Sequence, residues 1–176
     1  PTVIANSNRI DGNLNPSSIY FTRFEISSDG TTAFVVGHAA DLRILNITNP
    51  AAVTQRSIWS DNTGETRGLV LSNDGNTLFV LANALHIIDV SNPDIPTLIG
   101  ETGNLGNTTG LTLSADENYI FFTSNSSGLG VIDVSNPSSP THTGNYASKH
   151  NAKKVTLSAN GNYALVSDNL AGLTVY

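Results

Sequence analysis

The most informative stretch of this chain is Leu71-Ser-Asn-Asp-Gly-Asn-Thr-Leu-Phe-Val80, because close variants of it return along the whole sequence. The four copies begin at Ile26, Leu71, Leu113 and Leu157. Successive copies start 45, 42 and 44 residues apart, and a period in the low forties is typical of a four-stranded β-propeller blade. The sequence therefore predicts an all-β fold: one domain over residues 1–176, built as a β-propeller of four four-stranded blades.

Each copy places a Ser-x-Asp-Gly turn, or a one-residue variant of it, between two apolar runs, a pattern that predicts a hairpin. Glycine supplies the positive φ that such a turn needs, and it is present as Gly30, Gly75 and Gly161. The third copy has Glu117 there, so its turn is expected to differ or to carry strain. Aspartate recurs at one position of the repeat, and this recurrence favours a structural role. The residues are Asp29, Asp74 and Asp116.

A second motif follows the third strand of each copy. It reads Ile88-Asp-Val-Ser-Asn-Pro93 and Ile132-Asp-Val-Ser-Asn-Pro137, with the variant Leu45-Asn-Ile-Thr-Asn-Pro50. Proline ends the strand because it cannot donate to a sheet ladder. Side-chain oxygens can cap such a turn, so Asp89 and Asp133 are predicted to be structural.

These two motifs together resemble the LVIVD-type repeat, a blade family of bacterial and archaeal surface or secreted proteins, and more distantly the YVTN-type surface-layer repeat. The resemblance runs from about Phe24 to Tyr176 and rests on "LxIIDVSNPxxPxxxG" followed by "GLxLSxDGxxxFV". It implies blade architecture, and the family supplies no shared catalytic residues. A bacterial protein outside the cell or on its surface is therefore expected.

The two ends of the chain suggest how the ring closes. The first residues, Pro1–Ala5, look like the outer strand at Pro96–Gly100. The N-terminal strand Thr2–Ala5 is therefore predicted to complete the last blade by pairing with Leu173–Tyr176. Two alternatives stay open: the chain is a piece of a larger propeller, or two copies form an eight-bladed ring as a homodimer.

Composition narrows the range of partners. Charged residues make up 12% of the chain, against roughly 25% in ordinary domains, which supports an extracellular or surface location. The net charge of −6 argues against a nucleic acid or an anionic membrane surface as partner. No apolar run long enough for membrane insertion is present, and the absence of cysteine excludes thiolate metal sites and disulfides.

A cluster of cations provides the candidate binding site. Aligning the copies places Arg23 and Lys154 at the start of an inner strand, with Arg67 and Lys153 one position earlier. In a propeller these positions converge on one mouth of the central channel. A cationic ring there could hold a carboxylate, a phosphate or an acidic sugar, with His150 as a further member. Solvated loop charges are the simpler alternative.

No catalytic or metal constellation emerges from the sequence. The four histidines occupy different positions of the repeat, and no G-x-S-x-G motif is present. Glu25 lies on an inner strand, but one carboxylate is not a mechanism. We expect no cofactor and a non-enzymatic module that recognises a protein or an anionic or carbohydrate ligand. The alternative is a lactonase-like or lyase-like propeller enzyme, whole or fragment, with its site at the channel.

Overall fold

The computed structural model describes residues 21–37, 41–60, 65–147, 151–169 and 171–176. Blade 1 contains β1 (Phe21–Ile26), β2 (Thr32–Gly37), β3 (Asp41–Asn46) and β4 (Thr54–Ser60). Blade 2 contains β5 (Gly68–Leu71), β6 (Thr77–Leu81), β7 (Leu85–Asp89) and β8 (Thr97–Glu101). Blade 3 contains β9 (Thr108–Leu113), β10 (Tyr119–Ser124), β11 (Gly128–Asp133) and β12 (Thr141–Tyr146). Blade 4 contains β13 (Ala152–Leu157), β14 (Ala164–Asp168) and β15 (Gly172–Val175).

The blades confirm the predicted all-β propeller. Every sheet is an antiparallel meander in sequence order, and the inner strands β1, β5, β9 and β13 contact one another in that order. In the described part of blade 4 the sheet has three strands. The strand predicted at Thr2–Ala5 lies outside the described residues. Within those residues, no helix is long and apolar enough to cross a membrane.

Apolar packing between neighbouring blades forms the core. Phe34 and Ile44 of blade 1 pack with Leu78 of blade 2, and Phe79 of blade 2 packs with Ile120 of blade 3. A third cluster joins blade 3 to blade 4. The strands of a propeller blade are covered on both faces, and accordingly β2 is buried along its whole length. The core therefore lies between the sheets and fixes their order around the axis.

The Ser-x-Asp-Gly turn is held by the same hydrogen bonds in every blade. In blade 2, the Ser72 hydroxyl donates to Asp74 Oδ1 over 2.6 Å, the Asn76 amide donates to the same oxygen over 2.9 Å, and the Thr77 amide donates to Ser72 Oγ over 2.9 Å. In blade 4, Asn160 takes the aspartate position and accepts equivalent bonds. The turn thus needs a side-chain oxygen at this position, and the charge is not essential.

The Asn-Pro motif is capped as the sequence predicted. Asp89 Oδ1 accepts the Ser91 amide over 2.9 Å, and Asp133 Oδ1 accepts the Ser135 amide over 2.9 Å. This turn also joins adjacent blades: Arg56 on β4 pairs with Asp94, with its Nε 2.8 Å from Oδ1. The outer strand of blade 1 is therefore tied to the turn of blade 2.

Glu117 takes the left-handed conformation that glycine takes elsewhere, with φ of 60°. Such a backbone costs an L-residue roughly 1–2 kcal/mol. The carboxylate of Glu117 accepts the backbone amide of Asn73 in the turn of blade 2 over 2.5 Å. The expected strain is thus present, and a contact between blades accompanies it.

The turn aspartates predict a pH dependence of stability. The Ser72 hydroxyl and the Asn76 amide hold the pKa of Asp74 below its ordinary value. A carboxyl with a lowered pKa in the folded state stabilises fully above its unfolded pKa, near 3.9, and loses that contribution as the pH falls through the folded value. We expect Asp74→Ala to lower the free energy of unfolding by about 1 kcal/mol at neutral pH.

Asp74→Asn is the matched control, because Asn160 shows that an amide fits this turn. It should lose less stability at neutral pH and show a shallower acid transition, measured as melting temperature between about pH 7 and pH 2. Equal melting temperatures for the alanine and asparagine variants at neutral pH would contradict the role of the side-chain oxygen.

Glu117 gives a second prediction, which separates strain from hydrogen bonding. Glu117→Ala keeps the strained backbone and loses the bond to Asn73, whereas Glu117→Gly relieves the strain and loses the same bond. The glycine variant should therefore be the more stable of the two by about 1 kcal/mol in urea unfolding. An alanine variant as stable as the glycine variant would show that the turn carries no strain.

Candidate functional site

A cavity of about 250 Å³ lies where the inner strands of the blades begin, and we call it the channel mouth. Its lining comes from all four blades and consists of Arg23, Arg67, Gly68, Leu69, Thr109, Gly110, Leu111, Lys153 and Lys154. The four cations singled out in the sequence are thus brought together around one space. His150 lies outside the described residues, and whether the channel mouth binds an anion stays a prediction.

The repeat explains the convergence, because each blade contributes the same register position. Arg23 lies opposite Val36, and Lys154 lies opposite Ser167. In the two central blades this position holds Gly68 and Gly110, opposite Leu81 and Thr123. The start of every inner strand therefore meets the axis at the same height.

A β-bulge recurs at the residue just before this position. The ladder of blade 1 skips Thr22, that of blade 3 skips Thr109, and that of blade 4 skips Lys153. In blade 2 the corresponding residue is Arg67, directly before β5. A bulge takes one residue out of the ladder and changes the direction of its side chain, so this device positions Lys153 of the four cations.

Polar contacts hold two of the four cations, Lys153 and Arg67, at the channel mouth. The Nζ of Lys153 donates to Asn125 Oδ1 over 3.1 Å, and the Nη2 of Arg67 lies 3.1 Å from Glu65 Oε2. Thr109 ties two blades together, since its hydroxyl donates to the carbonyl of Ala152 over 2.8 Å. Glu65 also lines an adjoining cavity of about 360 Å³.

The described lining of the two cavities contains four cations and one carboxylate, that of Glu65. Its net charge is therefore positive. The chain as a whole has a net charge of −6, so this region differs in sign from the rest of the molecule.

Glu25 is half-buried two residues beyond Arg23, and burial raises the pKa of its carboxyl. It is not part of the described lining of the channel mouth.

Sequence reasoning missed Glu65 and Asn125 as side-chain partners of Arg67 and Lys153. Glu65 precedes Arg67 by two residues, and in an extended segment that spacing places both side chains on one side; this signal was available. Asn125 reaches Lys153 from the turn after β10, and nothing in its local sequence indicates this contact. Among the residues that the structure describes, no group of three or more His, Asp or Glu side chains is placed to hold a metal ion.

A larger cavity, of about 530 Å³, lies between blades 3 and 4 and was not predicted. Its aromatic lining includes Tyr119, Phe121, Tyr146, Tyr163 and Tyr176. The sequence carries a signal for it, because Tyr119 and Tyr163 replace the threonine found at the same repeat position in blades 1 and 2.

Close backbone packing at Gly110 gives a prediction about the channel mouth. A Cβ atom on Gly110 would lie 3.2 Å from the carbonyl oxygen of Lys153 and 3.6 Å from the Cα atom of Lys154. Since these are backbone atoms, they cannot move aside as a flexible side chain can. We expect Gly110→Ala to force β9 and β13 apart and to cost about 1–3 kcal/mol of stability.

Gly103→Ala is the control for this variant. A Cβ atom at Gly103 would meet no atom within 4 Å, so its melting temperature should stay at the wild-type value or rise slightly. If the Gly110→Ala protein has the same melting temperature as the Gly103→Ala control, the close approach of the two inner strands is contradicted.

The chain is similar to one known repeat family and to solved structures. The LVIVD repeat matches residues 63–102, 106–148 and 151–175. A proposed 6-phosphogluconolactonase from Bacteroides fragilis is similar in structure, with 15% identity and a TM-score of 0.78 over 93% of this chain and 52% of that one. A chain of the mitotic checkpoint complex has 13% identity and a TM-score of 0.74 over 88% of this chain and 48% of its own.

This chain therefore spans about half the length of the solved chains that it matches. Comparison with curated proteins gave no match. Structural similarity at 13–15% identity shows the fold alone and does not assign an activity to this chain.

Proposed function

Since this chain belongs to the LVIVD repeat family, we propose that it is a non-enzymatic recognition module that binds an anionic ligand at the channel mouth. One observation carries the proposal: Arg23, Arg67, Lys153 and Lys154, from three different blades, line a single cavity. Like charges repel when they are gathered, so folding alone gains nothing from this arrangement. A bound anion would offset the repulsion.

The side chains define the class of ligand. The guanidinium of an arginine can donate two parallel hydrogen bonds to a carboxylate or a phosphate, while a lysine contributes a compact point charge. Gly68 and Gly110 also line the cavity. A small carboxylate, a phosphate or the acid group of a sugar fits this chemistry, and a divalent cation does not.

The ligand should sit off-centre in the channel mouth. Blade 3 contributes the neutral Thr109 where blades 2 and 4 contribute Arg67 and Lys153. The attraction is therefore weakest beside blade 3, and an anion is expected nearer to Arg67 and Lys153.

The proposal places the protein outside the bacterial cell or on its surface. Its support is the composition, in which charged residues are few and cysteine is absent, together with the resemblance in the repeat motifs. A recognition role in that setting requires a ligand or a partner protein, and no reaction. The rigid antiparallel blades supply the scaffold on which the four cations are held.

Titration calorimetry with citrate and with inorganic phosphate tests the anion site. We expect binding that weakens as salt is raised through about 0.15 M, because screening reduces charge–charge attraction. Arg67→Gln should lower the affinity about tenfold, which corresponds to about 1.4 kcal/mol, and Lys153→Gln should act in the same direction.

Arg56→Gln is the matched control, since it removes the same charge from β4, where Arg56 pairs with Asp94 and donates to the Thr32 hydroxyl, and Arg56 is not part of the described lining of the channel mouth. Its affinity for citrate should equal that of the wild type. If Arg56→Gln and Arg67→Gln lost the same amount of citrate affinity, the effect would come from the net charge of the protein and not from a site at the channel mouth. Hydrolysis of a lactone by the purified protein, abolished in Arg67→Gln, would replace the proposal with the lactonase-like alternative.

A further inference from the structure

The Asn-Pro turn takes part in the packing between blades. Val90, in the turn of blade 2, is 1% exposed and belongs to the apolar cluster between blades 1 and 2. Val134, in the turn of blade 3, is 2% exposed and belongs to the cluster between blades 2 and 3. Each valine amide donates over 2.8 Å to a backbone carbonyl of its own blade, Val90 to Asn76 and Val134 to Asn118. The turn is therefore anchored in the blade that carries it and packs toward the blade before.

The proline of the turn meets the outer strand of the preceding blade at one register position. The Ser57 hydroxyl on β4 donates to the Pro93 carbonyl of blade 2 over 2.6 Å. Gly100 holds the position of Ser57 on β8, and a Cβ atom on it would clash with the Pro137 carbonyl oxygen of blade 3. The first two junctions thus seat the turn in the same place, between the outer strand of one blade and an asparagine carbonyl of the next.

At the third junction the corresponding positions lie at the cavity of about 530 Å³ between blades 3 and 4. Asn162 of blade 4 holds the repeat position of Asn76 and Asn118 and lines this cavity. Gly144 holds the outer-strand position on β12, and a Cβ atom on it would meet no described atom within 4 Å. Its neighbour Thr143 also lines the cavity. Both anchoring points of the turn are therefore present, and among the described residues the space beside Gly144 is open.

We propose that this cavity is the seat of an Asn-Pro turn with the sequence Val-Ser-Asn-Pro-x-x-Pro. In the two filled seats, the segment belongs to the blade whose asparagine carbonyl it binds. By the repeat, the occupant of the third seat is the segment that continues β15 of blade 4. Tyr176 lines the cavity and holds the repeat position of Ile88 and Ile132, two residues before the valine. A segment joined there enters the cavity directly.

The lining of the cavity fits this segment. Leu129 and Val131 of blade 3 and Leu157 of blade 4 offer apolar surface to the valine, as the clusters of the first two junctions do. The carbonyl of Asn162 accepts the valine amide, and Gly144 leaves room for the proline carbonyl. Each contact of the occupant thus repeats one that exists elsewhere in the chain.

The charge of the lining selects the residue that follows the proline. In blade 2 this residue is Asp94, and two nitrogens of Arg56 donate to its carboxylate over 2.8 and 2.9 Å. Thr143 holds the position of Arg56 on β12, because the bulge of each outer strand takes that residue out of the ladder. The described lining has no charged side chain. A neutral residue, such as Ser138 in blade 3, therefore fits this seat better than an aspartate.

Joining the segment to the full chain tests the seat. The eight residues added after Tyr176 are Asp-Val-Ser-Asn-Pro-Ser-Ser-Pro, copied from Asp133–Pro140, and the control chain carries them in reverse order. The forward extension should melt about 4 °C or more above the reversed one, because it buries a valine side chain. Circular dichroism during heating measures both melting temperatures.

Gly144→Val separates binding at the seat from a general effect of added residues. A valine methyl group at this position would press on the proline carbonyl and could not donate to it as Ser57 does in blade 1. The substitution should therefore remove the difference in melting temperature between the forward and reversed extensions. The reversed chain should stay folded, since a Cβ atom at Gly144 meets no described atom within 4 Å.

A charge exchange tests the register of the segment. A second extension copies Asp89–Pro96, which has an aspartate after the Asn-Pro pair. Thr143→Arg should raise the melting temperature of this acidic extension by about 2 °C, the shift expected of an exposed ion pair. It should give no such rise with the serine-containing extension. Loss of the Thr143 hydrogen bond to the Val131 carbonyl is common to both chains and cancels in the comparison.

Three results would overturn the inference. Equal melting temperatures of the forward and reversed extensions would show that the cavity belongs to another occupant, such as a neutral sugar. A gain from the forward extension that persists in Gly144→Val would show that the segment binds elsewhere. A Thr143→Arg effect of equal size in the acidic and neutral extensions would show that the residue after the proline does not lie beside β12.

Discussion

Packing of each blade's apolar face against the next blade is the constraint on which the rest of this structure depends. A single twisted sheet of four short strands cannot bury both of its faces. The chain solves this by repeating one junction, in which pairs such as Phe34 with Leu78 and Phe79 with Ile120 interlock. Once the junction is fixed, the order of the blades and the position of the axis follow from it.

The hydrogen-bonded turns serve this packing and do not replace it. The Ser-x-Asp-Gly turn returns the chain tightly enough for the inner two strands to remain in register, and the Asn-Pro turn ties one blade to its neighbour through contacts such as Arg56 with Asp94. Because every inner strand then begins at the same height, substitutions at a single repeat position accumulate around the axis. Residues at the channel mouth can therefore vary while the junctions stay unchanged.

Much of this architecture could be predicted from the sequence, because repeats turn local patterns into global geometry. The period, the turn residues and the capping role of Asp89 are encoded in consecutive residues, and so is the convergence of Arg67 with Lys153. The bulge at Lys153, the contact of that residue with Asn125 and the cavity beside Tyr163 depend on packing between blades, which no short stretch encodes. The repeat likewise does not reveal how many blades complete a ring, since curvature arises from small rotations at each junction.

In the proposed function, the four cations of the channel mouth act together on one anion. Crystals grown with selenate, a tetrahedral dianion whose selenium is located by anomalous scattering, test this most directly. We expect an anomalous peak inside the channel mouth, within hydrogen-bonding distance of Arg67 and Lys153 and farther from Thr109. Peaks confined to other surface cations such as Arg56, with the channel mouth empty, would contradict it.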